Sequence, residues 1–261
     1  MPTLSPTAPS GDQAAVVKRR PGRPRKPTGA HAGVAGEGDT AATKPAAADP
    51  DAPGPRINDP ARTMADIVEV ASREFADKGL AGARIDEIAA ATRTSKRMIY
   101  YYFGSKEGLY IAVLEDAYQR IRDTESSLHL DDLAPEQALR ELVGATVDYQ
   151  LAHPDFTRLV MTENIHRGEF MARSKAIQGL NVPAIDAIAK VYQRGCEAGV
   201  FRSGLDALDL HMSISALAVF NVANKHTFSL IFKRDPDLPE AIQARRASIV
   251  EMVVRFVLHA S

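Results

Sequence analysis

The sequence contains very little cysteine and no long apolar run. Each of these features excludes some classes of protein. Among its 261 residues Cys196 is the one cysteine, which excludes an internal disulfide and a cysteine-rich zinc site. A redox sensor needs such a thiol, but a lone cysteine on a helix is more often a small buried residue. No apolar run reaches membrane-span length, and none follows the basic residues near the N-terminus. We therefore expect a cytoplasmic protein that does not contact a membrane.

The motifs of common enzymes are also missing. The sequence has no Gly-x-Ser-x-Gly elbow, no glycine-rich phosphate loop and no His-Glu-x-x-His pair. Glu163 and His166 could form an acid–base pair, but positions i and i+3 on a helix meet too often to indicate catalysis. We therefore expect no catalytic residue, no metal site and no cofactor.

Net charge is low, but its distribution is informative. The chain carries a formal charge of −1, which by itself does not suggest nucleic acid. Of the seven Lys and Arg residues in 1–55, however, six lie between Lys18 and Lys26. The segment 110–261 is mildly acidic. This asymmetry is expected if the N-terminal end alone meets phosphate.

Composition and periodicity divide the chain into three parts. Residues 1–57 are rich in Ala, Gly, Pro and Thr and nearly free of large apolar side chains, so we predict a disordered arm. Residues 58–109 contain short helices with sharp turns, which predict a helix-turn-helix domain. Helical periodicity continues through 110–261, which predicts a larger helical domain. Because no run of alternating residues demands a strand, the predicted fold is all-α.

Capping residues and glycines set the predicted helix boundaries. Asp59 and Pro60 begin the first helix, and Lys78-Gly79 ends it. The second helix covers about Ile85 to Ala91, the third begins at Ser95 and the fourth, long enough to join both domains, at Ser105. The remaining predicted helices are Pro135–Ala152, Asp155–His166, Val182–Ala198, Ala207–Phe232 and Pro239–His259.

The helix that begins at Ser95 has the chemistry of a DNA-reading helix. Lys96 and Arg97 lie in its first turn, where long donors and free backbone N–H groups can meet guanine edges or phosphates. Isolated cations of this kind are usually solvated surface charges, but their combination with a tyrosine cluster favours a major groove. We expect Ile99 and Phe103 to face inward, whereas Tyr100 suits the core at least as well as DNA. The predicted DNA-binding residues are Thr94, Ser95, Lys96, Arg97, Met98, Tyr101, Tyr102 and Lys106.

Five spaced motifs make residues 59–109 resemble the N-terminal domain of the TetR family of bacterial transcriptional regulators. They are Phe75-x-x-x-Gly79, Ile85-Asp86-Glu87-Ile88-Ala89, Ser95-Lys96, Ile99-Tyr100-Tyr101-Tyr102-Phe103 and Ser105-Lys106-Glu107-x-Leu109. The resemblance implies phosphate contacts by Tyr102 and Lys106, and base-edge contacts by Arg97, Met98 and Tyr101. Family members commonly have glycine where this chain has Arg93, and a Thr or Ser cap where it has Arg84.

The basic arm resembles an AT-hook. Its Pro21-Gly22-Arg23-Pro24 core is followed by Arg25 and is extended and narrow enough for the minor groove of A·T-rich DNA. Arg23 and Arg25 are therefore predicted to bind DNA. A nonspecific basic tail that raises affinity only through its charge is an equal alternative.

The far half also resembles a TetR-type ligand-binding and dimerisation domain, which implies a small-molecule effector. Apolar helices with scattered polar groups can enclose a pocket. Phe156, Met161, Phe220 and Phe228 are predicted to form its apolar wall. No cluster of Lys or Arg marks these faces, so we expect an apolar or aromatic effector, or an acid, and not a heavily phosphorylated one. The predicted ligand-binding residues are Tyr149, Thr162, Asn164, His166, Asn221 and Asn224.

The resemblance also implies a homodimer joined by a four-helix bundle. Two stripes are candidates: the small residues Ser213, Ser215, Ala216 and Ala218, and the valines Val250, Val253, Val254 and Val257. The alternative is that both stripes belong to the core of one protomer. A two-fold dimer would place two reading helices in successive major grooves of a palindromic operator.

These observations predict a dimeric repressor that a small organic effector releases from double-stranded DNA. The alternative is an architectural DNA-binding protein without a ligand, which the basic arm favours and the large apolar C-terminal half does not. Catalysis is the least favoured reading, because the enzyme motifs are missing.

Overall fold

Ten α-helices build the part of the chain that the computed structural model describes, residues 59–259 apart from the side chain of Asn181. The predicted arm, with Arg23 and Arg25, lies outside these residues. The helices are α1 (Pro60–Gly82), α2 (Ile85–Ala91), α3 (Lys96–Phe103), α4 (Lys106–Ser126), α5 (Pro135–Ala152), α6 (Pro154–Ile165), α7 (Lys175–Glu197), α8 (Ala207–Ala223), α9 (Lys225–Phe232) and α10 (Pro239–Val257). The all-α prediction is therefore confirmed. In this range the only β-type pairing is an isolated bridge between Phe201 and Leu258.

Side-chain caps fix the first helices where the sequence predicts them. The Asp59 carboxylate accepts hydrogen bonds from the backbone N–H groups of Ala61 and Arg62. Gly79 interrupts α1 with φ 66° and ψ 173°, a conformation that glycine adopts without a Cβ penalty. The hydroxyl of Ser95 accepts from Met98 N–H at the start of α3. Each cap satisfies a donor that the helix leaves unpaired, so these boundaries are encoded locally.

One apolar cluster extends from the first three helices into the C-terminal half. Ile88 and Ile99 of α2 and α3 are fully buried in it. The buried ring of Phe75 meets the edge of Tyr110 on α4, with 5.1 Å between ring centroids, and Tyr110 meets Phe170 at 5.4 Å. Because α4 packs against helices of both regions, it connects the two halves through one apolar cluster.

A second cluster fills the space between α5, α7, α8 and α10, and it overturns one part of the predicted dimer surface. The valines at 250, 253, 254 and 257 are all buried within this cluster, against partners such as Val143 and Ile214. They therefore belong to the core of the protomer, which was the alternative reading of that stripe.

Two predicted boundaries in the C-terminal half are wrong. The helix expected from Val182 begins seven residues earlier as α7, because the Ser174 hydroxyl caps it through Ile177 N–H and Pro183 is accommodated inside. The helix expected over Ala207–Phe232 is two helices, since Asn224 ends α8. Its backbone N–H and its side-chain amide both donate to the Phe220 carbonyl, at 3.0 and 3.1 Å.

Replacing either of two glycines of α7 by alanine should change the free energy of unfolding, but in opposite directions. A Cβ at Gly195 would overlap the ring of fully buried Phe201, whereas a Cβ at Gly179 would meet nothing within 4 Å. We expect Gly195→Ala to lower the free energy of unfolding by about 1–3 kcal/mol through overpacking. Gly179→Ala should raise it by up to about 1 kcal/mol through helix propensity. Urea unfolding of both variants measures this, and equal effects would contradict the packing described here.

Candidate DNA interface and effector cavity

The turn between α2 and α3 is built without the usual glycine. Arg93 takes the left-handed conformation, with φ 52°, at a cost of roughly 1 kcal/mol for a residue with a side chain. Thr94, half-buried, closes the turn by donating its N–H to the Ala89 carbonyl at 3.0 Å. The side chain of Arg93 is exposed and makes no ion pair within residues 59–259. The turn thus keeps its shape and adds an exposed cation beside α3.

The start of α2 is held by other means than a side-chain cap. Arg84, at the cap position, provides no side-chain hydrogen bond. Its backbone N–H instead donates to the Glu74 carboxylate at 3.1 Å, and Glu87 lies in the first turn of α2. The Lys78 ammonium donates to the carboxylates of Glu87 and Glu74, and these hydrogen bonds, that to Glu87 first, raise the pKa of Lys78. This cluster attaches α2 to the end of α1.

One face of α3 is exposed and carries most of the predicted reading residues. Ile99 is fully buried and fixes the helix against the core, as expected, and Phe103 is half-buried. Tyr101 is 77% exposed. Tyr100 is 45% exposed, which disfavours the core position that was one of its two alternatives. Of the other predicted residues, Ser95, Lys96 and Arg97 are exposed, and Met98, Tyr102 and Lys106 are half-buried.

The cations around α3 differ in what they contact. Lys96 forms an ion pair with Asp86 of α2, and the Lys106 ammonium donates to the Ala81 carbonyl at 3.4 Å. Arg97 makes no ion pair or side-chain hydrogen bond with any residue from 59 to 259. Arg97 is therefore available to a base edge, whereas Lys96 must leave a carboxylate to meet a phosphate.

The Lys96–Asp86 pair gives a testable prediction. In Asp86→Asn the ammonium of Lys96 loses its competitor, and one negative charge disappears near the DNA backbone. We expect operator affinity to rise about 3- to 10-fold at low salt and the gain to shrink at high salt. Fluorescence anisotropy with a labelled operator measures both. A lower affinity would mean that Asp86 is needed to position Lys96.

A cavity in the C-terminal half has a volume of about 760 Å³. It lies between the ends of α5 and α8, α9, the following turn and the start of α10. Phe220 meets the edge of Phe228 with 5.3 Å between ring centroids, and Phe228 lies 5.0 Å from Phe232. These rings form an apolar wall, as expected for Phe220 and Phe228.

Cations also line this cavity, contrary to the expectation from sequence. Lys225, Arg234, Arg245 and Arg246 all contribute to the lining. The expectation was wrong because these side chains come from α9, a turn and α10, and the fold brings them together. Asn221 is the predicted ligand-binding residue found here, and its side-chain carbonyl accepts from Arg245 Nε at 3.0 Å.

The other predicted ligand-binding residues are not brought together. Tyr149 lines a separate cavity of about 190 Å³ with His153 and Phe156, and burial raises the pKa of Tyr149 and lowers that of His153. The side chains of Thr162 and Asn164 donate to carbonyls of their own helix, those of Arg158 and Val160. The residues that line neither cavity are Thr162, Asn164, His166 and Asn224.

Glu163 and His166 do not form an acid–base pair. Glu163 is buried, and its carboxylate accepts from the backbone N–H groups of Phe170 and Met171 at 3.1 and 3.0 Å, whereas His166 is exposed. Burial, and then the charge of Glu163, raise the pKa of the nearby Tyr110 hydroxyl far above its usual value. Glu163 thus holds the turn after α6.

None of the helices within residues 59–259 is long and apolar enough to cross a bilayer. In the same range, His, Cys, Asp and Glu side chains form no group of three that could hold a metal ion.

An apolar stripe on α8 and α10 remains exposed in the protomer. On α8 it comprises Leu208, Met212 and Phe220, at multiples of four residues, with Met212 59% exposed. On α10 it comprises Met252 and Phe256, which is 53% exposed. We call these five side chains the α8–α10 stripe. The predicted small residues flank it unevenly: Ser213 and Ala216 are exposed, Ser215 is half-buried and Ala218 is buried.

Comparison with known proteins agrees with both halves of this arrangement. Residues 67–113 match the family model described as bacterial regulatory proteins, tetR family, and residues 135–253 match that of a tetracyclin repressor-like C-terminal domain. The HTH-type transcriptional repressor NicS of Pseudomonas putida is 38% identical over 176 residues, which cover 67% of this chain and 83% of NicS.

Solved structures share the fold. The transcriptional regulator SCO4942 from Streptomyces coelicolor superposes with a TM-score of 0.58 at 27% identity, over 75% of this chain and 98% of the other. The structure of AibR in complex with isovaleryl coenzyme A and operator DNA has a TM-score of 0.55 at 19% identity, over 73% and 97%.

Proposed function

The chain belongs to the TetR family of bacterial regulatory proteins, and from that membership we propose a dimeric repressor that a small organic effector releases from a palindromic operator. DNA-binding transcriptional repression, and not catalysis, is the activity of its relatives. The effector, the dimer and the operator symmetry are the proposed parts. The observation that carries the proposal is α3, a capped helix that presents uncompensated Arg97 and exposed Tyr101 to solvent.

On the DNA, α3 enters the major groove. Arg97 donates to guanine or phosphate oxygens, Met98 packs on a thymine methyl group, and Tyr101 contacts a base edge or the backbone. The residues assigned to phosphate are Thr94, Ser95, Lys96, Tyr102 and Lys106. Phosphate contacts fix the register of the helix, while the base-edge contacts select the sequence.

The effector changes the separation of the two reading helices. Support comes from the connection between the halves: α4 is shared, and Arg158 of α6 pairs with Asp77 of α1. Only a ligand with different affinities for the two separations can shift their populations. AibR, which shares the fold, was solved with both an acyl-CoA and operator DNA, so this architecture can carry an effector and DNA together.

The arm, which lies outside the described residues, extends the footprint. Arg23 and Arg25 are proposed to enter an A·T-rich minor groove beside the operator. An architectural protein without an effector would use the same arm, but it would have no need for a cavity of about 760 Å³.

Selection of bound sites from random duplex DNA tests the proposal. We expect a palindrome whose half-sites are separated by about one helical turn, or a multiple of it. Flanks rich in A·T for the full chain, but not for a version without residues 1–30, would support the minor-groove arm. An asymmetric preferred site would contradict the dimer, and no sequence preference would contradict operator recognition altogether.

A further inference from the structure

We propose that the cavity between α8, α9 and α10 is the effector site and that it selects aromatic carboxylates. This inference rests on the proposed repressor function and specifies its ligand class. The cavity combines phenyl rings in edge-on and tilted contact with a guanidinium that has no carboxylate partner in residues 59–259, and this juxtaposition points to the ligand class.

The apolar wall fits an aromatic body. The rings of Phe220, Phe228 and Phe232 follow one another in edge-on or tilted contact, and Leu151 and Ile242 extend the surface. Aromatic ligands gain from such geometry beyond the area they bury. A volume of about 760 Å³ lies within the usual range for small-molecule sites.

The charges that line the cavity are not all compensated. Lys225 pairs with Asp237 at 3.0 Å, and Arg246 forms a two-pronged pair with Asp148 at 2.7 and 2.8 Å. Arg245 and Arg234, by contrast, have no carboxylate within 4.0 Å among residues 59–259. Because a partly buried guanidinium needs an anion to offset its desolvation, the cavity favours a negatively charged ligand.

The geometry of Arg245 points to a carboxylate. Asn221 binds its Nε at 3.0 Å, which leaves the two terminal nitrogens for a ligand. The Asn221 amide is itself fixed, because it donates to the Leu217 carbonyl at 3.0 Å. A guanidinium fork matches the two oxygens of a carboxylate. A polyphosphate suits this cavity less, since Asp235 and Asp237 also line it.

The position of the cavity connects the ligand to the proposed dimer. Phe220 lines the cavity and also belongs to the α8–α10 stripe. A ligand against Phe220 therefore contacts α8, which carries part of this exposed stripe. Asn221, one residue further, acts as a positioning residue for Arg245.

Thermal shift of the full-length protein tests the proposal with benzoates, naphthoates and arylacetates, each beside its uncharged primary amide. We expect at least one carboxylate to raise Tm in a concentration-dependent way while its amide does not. Arg245→Gln should lower the affinity for that carboxylate about 10- to 100-fold, which is the usual contribution of a charge-assisted hydrogen-bonded pair. Lys190→Gln, a matched loss of exposed charge on α7, should leave its affinity unchanged.

Two further variants keep the test decisive. Arg245→Lys retains the charge but not the fork, so it should bind the carboxylate more weakly than wild type even if Arg245→Gln folds poorly. Asn221→Leu should lower the affinity for the carboxylate but leave the affinity for a purely apolar probe, such as naphthalene, unchanged.

Several results would overturn the inference. It fails if none of the carboxylates raises Tm, or if carboxylates and their amides raise Tm equally. It also fails if Arg245→Gln binds the carboxylate as tightly as wild type, or if only acyl-CoA esters stabilise the protein. Operator binding by ligand-free wild type is measured in parallel. If it is specific while the ligand tests fail, only the carboxylate inference falls; if it is absent, the repressor function falls as well.

Discussion

Replacing Lys96, Arg97 and Tyr101 together by alanine is expected to weaken operator binding by at least about 100-fold without unfolding the protein. Two base-edge pairs at about 1–3 kcal/mol each, together with the phosphate contact of Lys96, should remove about 3 kcal/mol or more, which corresponds to that factor. All three side chains are exposed on α3, and none belongs to the buried cluster. The fold should therefore tolerate the change, which a thermal melt confirms.

A matched control separates reading from simple charge. Lys175 and Lys190 are exposed on α7, so their double replacement by alanine removes the same two positive charges away from α3. We expect this control to retain nearly full affinity. The triple variant should also show a shallower dependence of affinity on salt, because it releases fewer counterions. Equal losses in both variants would assign the affinity to net charge and remove α3 from the interface.

The helix starts of the helix-turn-helix domain can be predicted from the sequence because the residues that fix them are local. Asp59, Ser95 and Ser105 each cap the helix that follows within three residues, so composition alone locates those starts. At α7 the same reasoning misplaced the start. Pro183 suits a first turn, but Ser174, tied also to Glu115 of α4 at 2.6 Å, begins the helix instead. That tertiary contact leaves no trace in the sequence near Pro183.

The effector cavity was harder to predict because its parts are distant in sequence. Asn221 and Arg245 are 24 residues apart and meet only when α8 packs beside α10. Phe220 and Phe228 were identified as apolar wall, but Phe232 and the cations were not. In the sequence, the adjacent Arg245 and Arg246 are indistinguishable from ordinary solvent-exposed residues of a helix. Only the fold reveals that Arg246 is neutralised by Asp148 while Arg245 is not.

The valine stripe of α10 illustrates a general limit of hydropathy patterns. Both faces of α10 carry apolar residues, and periodicity cannot tell which one packs inside. Val253 and Val254 are buried against α5 and α8, whereas Met252 and Phe256 are left outside. The homodimer, if built from this helix, must therefore use Met252 and Phe256, not the valines.

The α8–α10 stripe leads to the second large prediction. In Met212→Glu/Phe256→Glu, two carboxylates would have to be buried in the proposed interface, and two-fold symmetry doubles that number per dimer. We expect the double variant to be monomeric at micromolar concentration, since unpaired buried charge costs several kcal/mol per group. Both positions are more than half exposed in the protomer, so its own core should be little affected.

Loss of the dimer should carry over to DNA. A monomer binds one half-site, and without the linked second contact its affinity should fall about 100- to 10,000-fold. Sedimentation equilibrium and operator titration measure the two effects on the same sample. Ile165→Glu, at an even more exposed apolar position on α6 outside the stripe, is the control and should remain dimeric with normal affinity. If the double variant stays dimeric, the interface lies elsewhere; if it is monomeric yet binds a full operator normally, then dimerisation is not what places the two reading helices.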